Sequence, residues 1–442
     1  MLEKLNIKEK RIKKFAIIFG GALIFPMIGK LLPIIKDLPY NFVNYSLSFL
    51  FFVFLFSYIF YSKQNLLHKN ITTFFFANLF LALIIIIKGF DSGLFSFALS
   101  KSSGLVFSIS IIIIFCKYGI FENKKLFFKY FTIFLSFFLF FQYSFSMYES
   151  FINVPLGDYQ IKVYRMGQLV IPTFPIGMRD PLLLFGITQK SIFGINFPIL
   201  GLIGQHNGFG VMLIFYNLLF LYAYYIYRKK IYFFSNVVVV LAIISNTTRS
   251  ALLLILLQDM FFIYFIIIKN RIVKYFTLFL ILIIALIFFA DIVDKFWGLY
   301  QNADTVTPRI IIWEILTNIS SFHLSLYSFL FGVPLSNFGD YLTGLDKMSL
   351  GSVENQYIFI ILYSGILGLV LFIGLLIKYF IKIYKQINYV NKIFLIMIFL
   401  SFILEGLFMD NLISYYSYVL FTFLLLWISP FYKISGINPI NN

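Results

Sequence analysis

Charge is scarce in this chain. Asp, Glu, Lys and Arg make up only 12% of its 442 residues, about half the share of an ordinary soluble domain, so a water-facing surface cannot be assembled from it. Cysteine is nearly absent: Cys116 stands alone, which excludes an internal disulfide and a cysteine metal cluster. Histidine is confined to His68, His206 and His323, with no second histidine at metal-ligand spacing. The short basic loops leave no room for a nucleotide-binding domain and carry neither GxxxxGK[ST] nor GxGxxG, which argues against ATP or a nucleotide-sugar as substrate. No internal repeat relates the halves, which speaks against a transporter built from inverted repeats.

Apolar sequence fills the space. Hydrophobic residues reach 61% and aromatic residues 21%. Runs of about 20 apolar residues, the length that spans a bilayer core, fall at 15–33, 42–61, 71–88, 93–116, 126–146, 208–227, 233–248, 250–268, 275–293, 354–377, 393–410 and 414–430. The expected fold is all-α: a polytopic membrane helix bundle of about 12 transmembrane helices, forming a single integral membrane domain over 1–442. Two stretches are long and polar enough to leave the lipid, 147–207 and 294–353, and both are expected to contain short helices.

The net charge of +17 is distributed in a way that points to lipid and not to nucleic acid. About two thirds of the Lys and Arg fall in the N-terminal stretch, the alternate short loops and the C-terminus, which is the positive-inside pattern. Both termini are therefore expected in the cytoplasm, and both long loops on the opposite face. The first apolar run follows a basic stretch as a signal peptide does, but it lacks a small-residue cleavage site and holds Pro26 and Lys30. A retained anchor is expected. Heavy use of Phe, Ile, Lys, Asn and Tyr matches an AT-rich bacterial genome.

Candidate chemistry gathers at the outer face. The run 233–248 rises only about 24 Å, short of the roughly 30 Å core, so the turn from Ser245 to Ser250 should sit recessed, and an arginine there, Arg249, is costly unless it faces protein, water or an anion. Thr307 and Pro308 read as a helix start, which puts Arg309 where free N–H groups favour an anion. Two guanidiniums can clamp a pyrophosphate; each can also snorkel to headgroups or pair with a loop acid. Glu354, with Asn355 and Tyr357 beside it, opens the tenth run. It reads either as a base for a hydroxyl or as a carboxylate complementing a helix start capped by Ser352. Arg165 and Arg179 in the first long loop, and Gln205, His206 and Asn207 at its end, are candidate substrate contacts. Gln258, Asp259, Lys101, Glu405 and Asp410 lie in or near lipid without forming a spaced relay, and pairing between helices explains them. No metal site and no cofactor is expected.

Several of these segments resemble a known family. Asn246-Thr247-Thr248-Arg249-Ser250-Ala251-Leu252 is similar to the Ser/Thr-x-Arg-Ser/Gly-Ala signature of the O-antigen polymerase and ligase superfamily, and Thr307-Pro308-Arg309-Ile310-Ile311-Ile312-Trp313 to its Gly-Arg-x-x-x-Trp segment. Leu330-Phe331-Gly332-Val333-Pro334 resembles its Gly-rich turn. Glu354-Asn355-Gln356-Tyr357-Ile358, with Tyr363-Ser364-Gly365-Ile366-Leu367-Gly368-Leu369 after it, resembles the pattern of Wzy-type polysaccharide polymerases. Gln205-His206-Asn207 resembles the Asn-containing start of the family's sixth span. The matches cover about 200–370.

The resemblance implies an enzyme of the bacterial cytoplasmic (inner) membrane. It would join undecaprenyl-pyrophosphate-linked oligosaccharides into O-antigen or capsular polysaccharide by inverting, metal-independent glycosyl transfer, beside a flippase and a chain-length regulator. The ligase branch carries a His where Glu354 stands, which favours polymerase. The alternatives are an O-antigen ligase acting on lipid A core and a flippase or other transporter of lipid-linked oligosaccharides.

Overall fold

Lipid offers a peptide group no hydrogen bond, so apolar runs of this length must satisfy their backbones internally as helices. The computed structural model describes residues 9–10, 12–21, 71–91, 95–117, 124–152, 163–165, 168–170, 190–192, 195–197, 206–246, 248–275, 326–332, 355–407 and 415–429, and these are overwhelmingly helical. After a helical stretch over 12–21 come α1 (Thr72–Asp91), α2 (Phe95–Lys117), α3 (Lys124–Ile152), α4 (His206–Tyr227), α5 (Lys230–Asn246) and α6 (Arg249–Phe262). A π-helical turn, Ile263–Ile267, extends α6; then follow α7 (Leu326–Phe331), α8 (Gln356–Tyr384), α9 (Tyr389–Gly406) and α10 (Tyr415–Ile428). The expected spans from 71–88 through 250–268, and from 354–377 through 414–430, each coincide with one of these helices. Span 42–61, residues 276–293 of the ninth span and residues 22–33 of the first lie outside the described residues.

By length and composition, five helical stretches among the described residues can cross a membrane: Lys125–Tyr148, Gly208–Tyr227, Ser250–Ile267, Gln356–Tyr384 and Tyr389–Gly406. Thr72–Lys88, Ser102–Ile113, Lys230–Asn246 and Ser417–Ile428 are shorter apolar helices. α4 is the central one. Its apolar window is 83% buried, against 28% for that of α6, and it touches α3, α5, α6, α9 and α10. α1 packs on α2 and α8, and α10 on α2.

Between helices in lipid, burying apolar surface gains little over contact with acyl chains, so close packing and hydrogen bonds must define the neighbours. Rings supply the first: Phe128 stacks on Trp427 at 4.2 Å between centroids, and Phe402 on Phe421 at 4.3 Å. Hydroxyl pairs supply the second, Ser108 with Thr422 at 2.7 Å and Tyr379 with Ser429 at 2.8 Å. The middle of the bundle carries an amide cluster. The Asn217 amide of α4 donates to Gln258 and Asp259 of α6, both at 3.0 Å, while Asn236 of α5 donates to Asn217 and Gln258 donates to Ser401 of α9 at 2.7 Å. The expected helix-to-helix pairing of Gln258 and Asp259 is what these bonds make.

In the first long loop the residues described beyond α3 form two antiparallel pairs, β1 (Val163–Arg165) with β2 (Gln168–Val170) and β3 (Lys190–Ile192) with β4 (Ile195–Phe197). In each case triplets rich in β-branched and aromatic residues flank an X-Gly dipeptide, Met166-Gly167 or Phe193-Gly194, and this favours a tight hairpin over a helical turn. β4 rests against α3. The rest of that loop before α4, where short helices were also expected, lies outside the described residues. In 294–353 the helix expected from Thr307 lies outside the described residues, and the short helix described there is α7.

Candidate functional site

The candidate site is built on the abrupt reversal between α5 and α6. α5 ends at Asn246 and α6 begins at Arg249, so the chain turns within two threonines, as the short run 233–248 required. Thr248 occupies the N-cap position with extended backbone (φ −72°, ψ 106°), yet its hydroxyl does not cap the helix. It donates instead to Asn246 Oδ1 at 2.5 Å. Asn246 is fully buried and Thr248 nearly so. The first turn of α4 presses on this knot: a Cβ on Gly210 would lie 2.9 Å from Thr248 Cβ and Oγ1 and 3.1 Å from Asn246 Oδ1. Only a residue without a side chain lets α4 come this close without displacing the turn. α3 joins from the side, its Tyr143 hydroxyl 3.5 Å from Ser245 Oγ.

From α6 the rim continues to α9 and α8. The Ser250 hydroxyl donates to Glu405 Oε1 at 3.2 Å, and Glu405 is 0% exposed. A buried carboxylate costs several kcal/mol unless hydrogen bonds and positive charge meet it; the start of α6, with its dipole and the Ser250 hydroxyl, supplies both kinds of contact. The neighbouring Gly406 leaves just enough space for Tyr357, whose hydroxyl oxygen is 3.2 Å and ring edge 3.3 Å from where a Cβ would stand. Tyr357 donates to the Ile403 carbonyl at 2.8 Å, and Asn355 Nδ2 to the Leu407 carbonyl at 3.1 Å. The starts of α4, α6 and α8 and the end of α9 thus form one continuous rim at one end of the bundle.

The residues singled out in the sequence fall in three groups. His206 and Asn207 open α4, Arg249 opens α6 and Asn355 and Tyr357 start α8, so the fold brings these five positions to the same rim. Arg165 lies in β1, in register with Gln168. Arg179, Gln205, Arg309 and Glu354 lie outside the described residues.

One reading changes and one gains a place. The cap of α8 is Asn355 and not Ser352: Asn355 Oδ1 accepts from Tyr357 N at 3.0 Å and Ile358 N at 3.1 Å. Ser352 stands too far ahead of Gln356 to be the residue next to the helix. Asn355 and Tyr357, expected as substrate contacts, also do structural work here, since their polar atoms tie α8 to α9. Glu405 was assigned to pairing between helices, and it does pair α9 with α6, through Ser250 in the turn that Arg249 opens. The available signal was a single acidic residue followed by glycine in an apolar run.

Chemically, the rim offers an arginine in the first turn of a helix, whose cap side chain is engaged elsewhere, and a buried carboxylate one residue away. An arginine position at a helix start with aligned N–H groups suits a phosphate or pyrophosphate. Among the described residues no cluster of three or more His, Cys, Asp or Glu is placed to hold a metal ion. No family model, curated protein or solved structure matches the chain.

Proposed function

We propose that the chain is a glycosyltransferase that joins undecaprenyl-pyrophosphate-linked oligosaccharide repeat units into O-antigen or capsular polysaccharide at the outer face of the bacterial cytoplasmic membrane. One observation carries the reading: the start of α4, the α5–α6 reversal and the start of α8, each in or beside a segment resembling a part of the O-antigen polymerase and ligase superfamily, lie on one rim, the first two touching through Gly210–Thr248 and the last two each bonded to the end of α9 through Ser250–Glu405 and Tyr357–Ile403. The charge bias of the loops argues that this rim faces away from the cytoplasm.

In the proposed reaction a hydroxyl of the incoming lipid-linked unit attacks the anomeric carbon of the growing chain from the face opposite its pyrophosphate. The new C–O bond forms as the old one breaks, undecaprenyl pyrophosphate leaves with the bonding pair, and the hydroxyl proton passes to a carboxylate. Negative charge grows on the pyrophosphate, so the effective catalyst is cationic charge fixed in advance; Arg249, with Arg309, is the candidate for it. Glu354 is the first candidate base, and buried Glu405 is better suited to hold the α6 start.

Purified Arg249→Ala, given lipid-linked repeat units in vesicles, is expected to lose on the order of a hundredfold or more in chain extension while remaining in the membrane at the level of the parent. Parent-like glycan ladders would remove Arg249 from the chemistry. A parent protein that carries repeat units across the vesicle wall without lengthening them would point to transport instead, and one that only passes finished glycan to lipid A core would point to a ligase.

A further inference from the structure

Nine residues into α8, about 14 Å along its axis at 1.5 Å per residue, Gly365 breaks the helix. Its φ of 69° with ψ of −179° is a backbone region used almost only by glycine. The break is occupied. A Cβ on Gly365 would stand 2.1 Å from the Leu330 carbonyl oxygen and 2.4 Å from Phe331 N, so the last turn of α7 lies with its backbone against that of α8. Gly332, with φ 85°, meets the same break from the end of α7: its Cβ would fall 2.6 Å from the Tyr363 carbonyl carbon and 2.7 Å from its oxygen. Lys88 Nζ of α1 is at 2.7 Å from that same point and donates to the Phe331 carbonyl at 2.6 Å.

These three parts answer one another's needs. A helix this short ends in carbonyls without intrahelical donors, and its C-terminal end favours a cation. Irregular backbone at membrane depth is tolerated only where protein covers it. A lysine near that depth is costly without a partner. We propose that Lys88 is a positioning residue: it latches the turn Leu326–Gly332 into the break of α8 and so pins the 294–353 segment near the midpoint of the stretch from Arg309 to Glu354. With the latch closed, both arms of that segment start from a fixed point on the bundle.

The test uses full-length protein in membranes, with Cys116→Ser removing the native thiol and Leu330→Cys reporting on α7. Leu330 is half-buried where its peptide meets Gly365, and a thiol shielded there reacts slowly with a membrane-impermeant maleimide, because the reactive thiolate forms in water. Lys88→Met is expected to raise the alkylation rate about tenfold, and Lys88→Arg to return it close to the parent. Should Lys88→Met not accumulate, Lys88→Gln, which keeps a donor without the charge, is labelled in its place with the same expectation. Equal rates with Lys, Arg and Met or Gln at position 88 would overturn the latch. A second arm rests on the proposed function: in chain extension Lys88→Met should raise KM several-fold at unchanged protein level, and Lys88→Arg should restore it. Faster labelling with unchanged extension would leave the latch standing and overturn its role in that reaction.

Discussion

Two helix interruptions in this bundle are made in opposite ways. Between α5 and α6 the chain reverses on polar side chains, with Thr248 turned toward Asn246 and Ser250 toward Glu405. Within α8 no side chain makes the break: glycine does, and the backbone of α7 fills it. The first leaves a helix start facing the rim with Arg249 in its first turn. The second is closed by another piece of the chain. Yet both share one electrostatic rule. Each exposes a helix end, and each brings up a side chain whose charged form has the sign that end favours, Glu405 beside the N-terminus of α6 and Lys88 at the C-terminus of α7.

The difference in material predicts a difference in tolerance. Gly365→Ala puts a Cβ onto the Leu330 peptide group at 2.1 Å in a conformation that L residues avoid, and a backbone clash has no flexible atom to give way. A loss of about 3 kcal/mol or more is expected, read as a large fall in the thermal midpoint of detergent-purified protein or as failure to accumulate. A variant with parent-like melting would mean that α8 runs straight past this point, and the contrast between the two interruptions would be gone.

That contrast was only half legible in the sequence. Apolar runs near bilayer length announced the spans, because the length of a helix that must cross lipid is set by the lipid. The α5–α6 reversal announced itself too, through a run too short to cross and a cluster of Ser, Asn and Thr where it ends. The α8 break did not, since Gly365 and Gly368 in an apolar run also fit close packing of a straight helix. What bends the chain at Gly365 is contact with Leu330 and Phe331, more than thirty residues earlier in the chain. The same holds for the cap of α8. Ser352 and Asn355 are both capping residues, and the bond from Asn355 to the Leu407 carbonyl of α9 helps fix which one the helix uses. Glu405 was visible as a charge in lipid, but its place beside Arg249 depends on α6 and α9 meeting.

Gly210→Ala probes the polar interruption with a milder insult. The new methyl would meet the Thr248 side chain at 2.9 Å and Asn246 Oδ1 at 3.1 Å, and side chains, unlike the Leu330 peptide, can shift. About 1–2 kcal/mol of stability should be lost. Because the displaced atoms set the start of α6, chain extension should fall by a larger factor than melting alone implies. Equal proportional losses in a thermal melt and an extension assay would show that the turn supports the fold without orienting the rim.

The smallest stability effect is expected from Glu405→Gln, and it separates charge from shape. The amide oxygen can still accept from Ser250 Oγ, and a buried neutral amide is easier to desolvate than a carboxylate. Stability should therefore stay within about 1 kcal/mol of the parent or rise, read as a melting midpoint that is little changed or higher. If the shared electrostatic rule serves function, the same variant extends chains more slowly, because the α6 start that carries Arg249 has lost its counter-charge. Unchanged turnover would reduce Glu405 to a hydrogen-bond acceptor and leave Lys88 as the member of the pair whose charge matters.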